Sequence, residues 1–135
     1  MADNFNFELV SPERLLLSEQ VIDVVIPATE GEMTVMAHHA PTMTTIKPGL
    51  VKVHSASGSK QDYVVFGGFA DILPTGCTLL AESAVPVKDM SRDELDRRIN
   101  AAKAELEDAL HHEHKSRLEH FIMELSHLRG SIPQD

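Results

Sequence analysis

Cysteine is nearly absent from this 135-residue chain. Cys77 stands alone, which excludes an internal disulfide, a paired-cysteine redox motif and a cysteine-rich metal site. Set between Gly76 and Thr78-Leu79-Leu80, it has the surroundings of a buried, inert thiol. Long apolar runs are missing as well. The opening Met1-Ala2-Asp3-Asn4-Phe5-Asn6-Phe7-Glu8 has no basic stretch, and no later segment is apolar for long enough to span a bilayer. The expectation is a soluble chain that stays in the compartment where it is made. Positive charge is scarce: 12 Lys and Arg against 21 Asp and Glu leave a net charge of −9. The deficit runs through the chain, with 4 basic against 10 acidic groups in residues 1–85 and 8 against 11 in residues 86–135. That argues against nucleic acid, whose phosphates call for clustered Lys and Arg.

What is present divides into two kinds of sequence. With 42% hydrophobic residues the chain can bury one modest core with an appendage. Up to about Val85 it reads as short strands: residues 5–9, 20–26, 34–36, 50–54, 61–66, 69–73 and 77–81. Pro12, Pro27, Gly31, Pro48-Gly49, Ser57-Gly58-Ser59, Gly67-Gly68 and Pro74-Thr75-Gly76 punctuate them. Short strands at this spacing predict an antiparallel β-sandwich or flattened barrel. Gly67-Gly68 between two apolar strands predicts a bulge or sharp corner.

From Ser91 to Arg129 there is no Gly or Pro, and Ala, Glu, Leu, Lys and Arg dominate. Ser91 with Glu94 three positions on has the form of a capping box. Leu95, Ile99, Ala102, Leu106 and Leu110 form one apolar stripe, and Leu118, Phe121, Ile122, Leu125 and Leu128 form another. On one unbroken helix these stripes would point roughly 100° apart. Folded back at His111-His112-Glu113-His114-Lys115 they face each other, with Ala101, Ala102, Ala104 and Ala109 allowing a close approach. The fold class is therefore α+β, with a sandwich domain over 1–87 and a C-terminal two-helix hairpin over 88–135. The hairpin is small enough to be marginal, and acidification is expected to crowd positive charge at its joint and favour opening.

Glu30 to Gly49, reading EGEMTVMAHHAPTMTTIKPG, is the most informative stretch. Two extended segments there flank a turn expected to present Glu32, His38 and His39 together. No nucleophile with its base occurs in it, so recognition is expected rather than catalysis. The eight histidines raise metal binding as a rival reading, but the tight His-x-His with a following acid on neighbouring strands is absent, and His111, His112 and His114 fall at the helix break, where solvated side chains are ordinary. A free-standing regulatory binding module is the other alternative.

Several short motifs in order carry a family likeness: Leu9-Val10-Ser11-Pro12-Glu13-Arg14, Glu30-Gly31-Glu32, His39-Ala40-Pro41, Ile46-Lys47-Pro48-Gly49, Gly67-Gly68-Phe69 and Leu80-Ala81-Glu82-Ser83-Ala84, followed by the helical tail. On these the chain resembles the epsilon subunit of bacterial F-type ATP synthases, equivalent to the mitochondrial delta subunit. The resemblance implies a non-catalytic part of the central stalk. Such subunits attach to the gamma subunit, rest on the loops of the c-ring and turn with the rotor, coupling proton translocation to ATP synthesis. In many relatives the C-terminal helices can extend among the catalytic alpha and beta subunits and restrain ATP hydrolysis. It also implies a peripheral location on the cytoplasmic side of the bacterial inner membrane.

By position the resemblance assigns ring and gamma contact to Glu32, His38, His39, Ala40 and Pro41, and contacts of extended helices to Lys115, Arg117 and Arg129. Thr34 stands where relatives often have Gly, Ala37-His38 replaces a common Pro-Gly or Pro-Asn pair, and Thr75-Gly76 replaces a Gly-Asn type of turn. Some relatives bind ATP through Ile or Leu, Asp, two variable residues, Arg and Ala. Here Leu95-Asp96-Arg97-Arg98-Ile99-Asn100 keeps the first pair and loses the Arg-Ala, so no cofactor is expected. A nucleotide site would fall on Asp96, Arg97 and Arg98, with Arg97 or Arg98 reaching the phosphate, although solvated arginines on an acidic helix are the ordinary finding.

Overall fold

One long strand organises the N-terminal unit. The structure, a computed structural model, describes residues 3–132. Its described residues form nine strands: β1 (Phe5–Ser11), β2 (Arg14–Ala28), β3 (Gly31–Met36), β4 (Thr42–Ile46), β5 (Gly49–Ser55), β6 (Lys60–Val65), β7 (Gly68–Leu73), β8 (Gly76–Ala81) and β9 (Ala84–Pro86). The first half of β2 pairs with β1, from Ser11 opposite Arg14 to Phe5 opposite Val21. Its second half pairs with β3 on one side and β5 on the other, the register with β5 shifting between Val21 and Asp23. A single strand thus serves both layers: β2, β1, β8, β7 and β4 in one, and β3, β2, β5, β6 and β9 in the other. Pairing is antiparallel apart from β1 beside β8. Sequence patterning missed β4 and β9 as separate strands and gave β2 barely half its length, because the Leu15-Leu16-Leu17 run before it has no alternation.

The core follows from strand periodicity. Phe5, Phe7 and Leu9 of β1, Ala70 and Ile72 of β7, and Cys77, Leu79 and Ala81 of β8 are buried at every second position and meet Val21, Val24, Ile26, Val35, Ile46, Val51 and Val53. Cys77 lies within it, and burial first, then the charge of Asp71, pushes its thiol up to about 12, so the thiolate that would react is suppressed. The corner at Gly67-Gly68 is real. Gly68 sits at φ 133°, and a Cβ there would lie 2.0 Å from the carbonyl oxygen of Leu80, which no side chain tolerates.

The second unit begins at Val87. After a 3₁₀ turn at Val87–Asp89 come α1 (Arg92–Asp108) and α2 (His112–Arg129). The Ser91 hydroxyl accepts the backbone N–H of Glu94 at 3.1 Å, as the capping pattern predicts. The Glu94 carboxylate does not complete the box; it turns to Arg97 and Arg98. The break comes earlier than the histidine cluster: the chain leaves the helix at Ala109, where ψ reaches 132°, and re-enters after His111. His112, Glu113, His114 and Lys115 therefore form the first turn of α2. Leu110, expected in the first stripe, lies in the connection and is 90% exposed. Leu95, Ile99, Ala102, Leu118, Leu125 and Leu128 are buried as expected, and of the four alanines only Ala102 and Ala109 are. Ion pairs from Asp96 to Arg129 and from Glu105 to His114 join the two helices at complementary positions, fixing them as an antiparallel pair.

Candidate functional site

Glu32 sits beside a tight hairpin. Ala28 pairs with Gly31, so Thr29 and Glu30 make the turn between β2 and β3. Gly31 at φ 135° has the open space and backbone freedom this reversal uses. The tip is braced from below, Thr29 N–H donating to the Thr45 carbonyl at 3.0 Å and Lys47 N–H to that of Pro27 at 2.9 Å. Glu30 and Glu32 are both exposed on it, which gives the tip two carboxylates held on a rigid strand end.

The turn from Ala37 to Pro41 lies at the opposite end of β3. Five residues of extended chain separate Glu32 from Ala37, about 17 Å at the rise of a strand, so the expectation that Glu32, His38 and His39 are presented together is corrected: they occupy two tips. The strand expected over 34–36 in fact starts at Gly31, which draws Glu32 out of the turn and into β3. His38 takes φ 67°, so the turn holds a histidine in a left-handed conformation more readily taken by Gly or Asn. His38 N–H donates to the Pro74 carbonyl at 3.0 Å and its ring Nε2 lies 2.8 Å from Asp3 Oδ2. The Ala40 carbonyl accepts from His39 Nδ1 at 2.7 Å and Thr42 Oγ1 at 3.1 Å. Ala40 and Pro41 are left outward and exposed.

A third feature escaped sequence reading. Across the outer face of one layer, Phe69 pairs with Leu80, Leu80 with Val10 and Val10 with Leu15. Strand pairing thus aligns four apolar side chains in one row. Phe69, Leu80 and Leu15 are 51%, 45% and 53% exposed, and Met43 on β4 is exposed in the neighbouring row, opposite Asp71. Contiguous apolar side chains on a sheet face mark a protein contact more strongly than scattered ones. The residues come from four strands, so no local pattern in the sequence announced them.

The helical residues fall into two groups. Lys115 and Arg117 are exposed in the first turns of α2. Arg129 is engaged, Nε donating to Asp96 Oδ1 at 2.5 Å and Nη2 to Oδ2 at 3.2 Å. Those hydrogen bonds hold the Asp96 carboxyl below the usual carboxylate range. Arg97 donates twice to Glu94, whose carboxyl is lowered by that bond and then by the Arg97 charge, while Arg98 Nε lies 3.5 Å from the same carboxylate. Asp96, Arg97 and Arg98 are thus all committed within the helical unit. Among the described residues no three His, Cys, Asp or Glu side chains converge as metal ligands would.

The sandwich residues 4–87 match the family model described as ATP synthase, Delta/Epsilon chain, beta-sandwich domain. The chain belongs to the ATP synthase delta/epsilon family. Its similarity to family members extends past the sandwich. It is 90% identical to the ATP synthase epsilon chain of Rhizobium rhizogenes over 135 residues, all of both chains, and 69% identical to that of Agrobacterium fabrum over 129 residues, 95% of each. Among solved structures it is similar to a chain in the cryo-EM structure of the Euglena gracilis mitochondrial ATP synthase, OSCP/F1/c-ring, with a TM-score of 0.78 at 25% identity, covering 96% of this chain and 82% of that one. A delta/epsilon chain is a non-catalytic stalk subunit, which fits a site made of exposed tips and an apolar row. Among the described residues no helix is long and apolar enough to cross a membrane.

Proposed function

We propose that this chain works as the epsilon-type rotor subunit of a bacterial proton-translocating ATP synthase, peripheral to the cytoplasmic side of the inner membrane, and that it does so without a cofactor. The observation that carries the reading is end-to-end similarity to epsilon chains, helices included. The two tips and the apolar row divide the work. The carboxylate tip at Glu32 meets polar loops of the c-ring. The row Phe69, Leu80, Val10 and Leu15, with the His38, His39, Ala40 and Pro41 turn, seats against the gamma subunit, where burying half-exposed apolar side chains supplies affinity. The helices restrain ATP hydrolysis when they extend toward the alpha and beta subunits, with Lys115, Arg117 and Arg129 as their cationic contacts.

Two substitutions test this division. Phe69→Asp, at a half-exposed position, leaves the sandwich folded and abolishes co-purification of a gamma subunit with the tagged chain. Glu32→Lys leaves that co-purification intact and weakens the coupling of proton flow to ATP synthesis in membranes. Retained gamma binding in the first variant, or unchanged proton pumping in the second, contradicts the assignment.

A further inference from the structure

The two ends of the helical hairpin are closed by different means. At the joint, Ala109 to His111 hold the helices together covalently, and His111 caps α2 without a side-chain hydrogen bond. At the free end nothing covalent holds α1 to α2. There Arg129 grips Asp96 through both guanidinium and carboxylate edges, and Arg92 Nε donates to the Ile132 carbonyl at 2.9 Å, just past the end of α2. Planar two-edged pairing is the strong form of an arginine–carboxylate contact. Both bonds join the first turns of α1 to the residues that end α2, 33 and 40 positions away in sequence.

We propose that Asp96, Arg129 and Arg92 form a clasp that sets how often the hairpin opens. Placement gives the clasp its leverage. Two helices tied at one end part first at the other, so an interaction at the free end is lost at the start of opening, whereas the joint is never broken. The clasp is also self-sufficient. Asp96 spends both oxygens on Arg129, while Glu94 holds Arg97 and Arg98, so closure needs no ligand. Closure is electrostatic in part, and because the paired side chains are partly solvated, added salt weakens it.

The test uses the full chain, with spin labels at Asn100→Cys and Ser126→Cys, both exposed positions, one on each helix. Cys77 is buried and stays unlabelled. Asp96→Asn and Arg129→Gln each raise the separated population roughly twofold to fivefold, the range for partly exposed pairs, and the charge-swapped Asp96→Arg with Arg129→Asp returns it toward the parent. Raising salt separates the labels in the parent but not in Arg129→Gln. Populations unchanged in the single variants, or a swap no more closed than either single variant, overturn the clasp. The measurement concerns the isolated chain, so its outcome is independent of whether the rotor assignment stands.

Discussion

The sandwich hides its aromatic and aliphatic side chains in one alternating core shared by two layers, and β2 stitches those layers together. The hairpin buries only a few aliphatics on each helix and adds ion pairs at its free end and beside its joint. Removing apolar surface from water is non-directional and cooperative over many residues. Partly solvated ion pairs are weak, local and sensitive to salt and pH. One unit is thus held by a large shared core, whereas the other relies in part on a few ion pairs that solvent and salt can reach.

Damage to the sandwich core is the largest effect to expect. Phe7→Ala empties the space of a fully buried ring and costs about 3–5 kcal/mol, seen as a lower urea midpoint for the sandwich signal. A comparable loss of hairpin closure in that variant, measured with the label pair, would break the comparison. Gly68→Ala comes next. With its Cβ driven onto the Leu80 carbonyl at a φ of 133°, it costs more than about 2 kcal/mol, and near-parent stability would show that the corner relaxes freely.

Hairpin effects are smaller and carry a sign. Hydrogen bonds from Arg129 hold the Asp96 carboxyl below its ordinary value. A depressed carboxylate contributes closure fully above the unfolded value of about 3.9 and loses it as pH falls through the folded one. The difference in opening between the parent and Asp96→Asn is therefore constant from neutral pH to about pH 4 and shrinks below that; a difference that disappears at pH 6 would mean another group controls the clasp. At the other end, the expectation that acidification opens the joint meets a countervailing contact. His114 Nε2 lies 3.2 Å from Glu105 Oε1 on the opposite helix, so protonating this ring adds an attraction across the hairpin. The smallest effect is at the His38 turn, where His38→Gly relieves a left-handed histidine but, with glycine's extra unfolded-state freedom offsetting most of that relief, gains less than about 0.4 kcal/mol in a urea melt.

Local rules made much of this legible. Alternation at Phe5, Phe7 and Leu9, the turn residues, and the Ser91 cap lie within a few residues of the elements they define, and the ordered motifs carried the family. Legibility failed where partners are far apart in sequence. The row from Phe69 to Leu15 exists only because parallel and antiparallel neighbours bring four strands into register. The pairing of Asp96 with Arg129 needs the hairpin closed before it can be seen. Glu32 and His38 looked like one site because the strand expected over 34–36 begins three residues earlier, at Gly31, and an extended chain carries its two ends apart.

The claim that the sandwich and the hairpin are separable is tested most directly by ending the chain after Val87. The account predicts that residues 1–87 unfold in one cooperative transition and still bring down the gamma subunit with the ring, while restraint on ATP hydrolysis in the assembled enzyme is relieved. A truncated chain that is unfolded, or that is folded but absent from the complex, would contradict it.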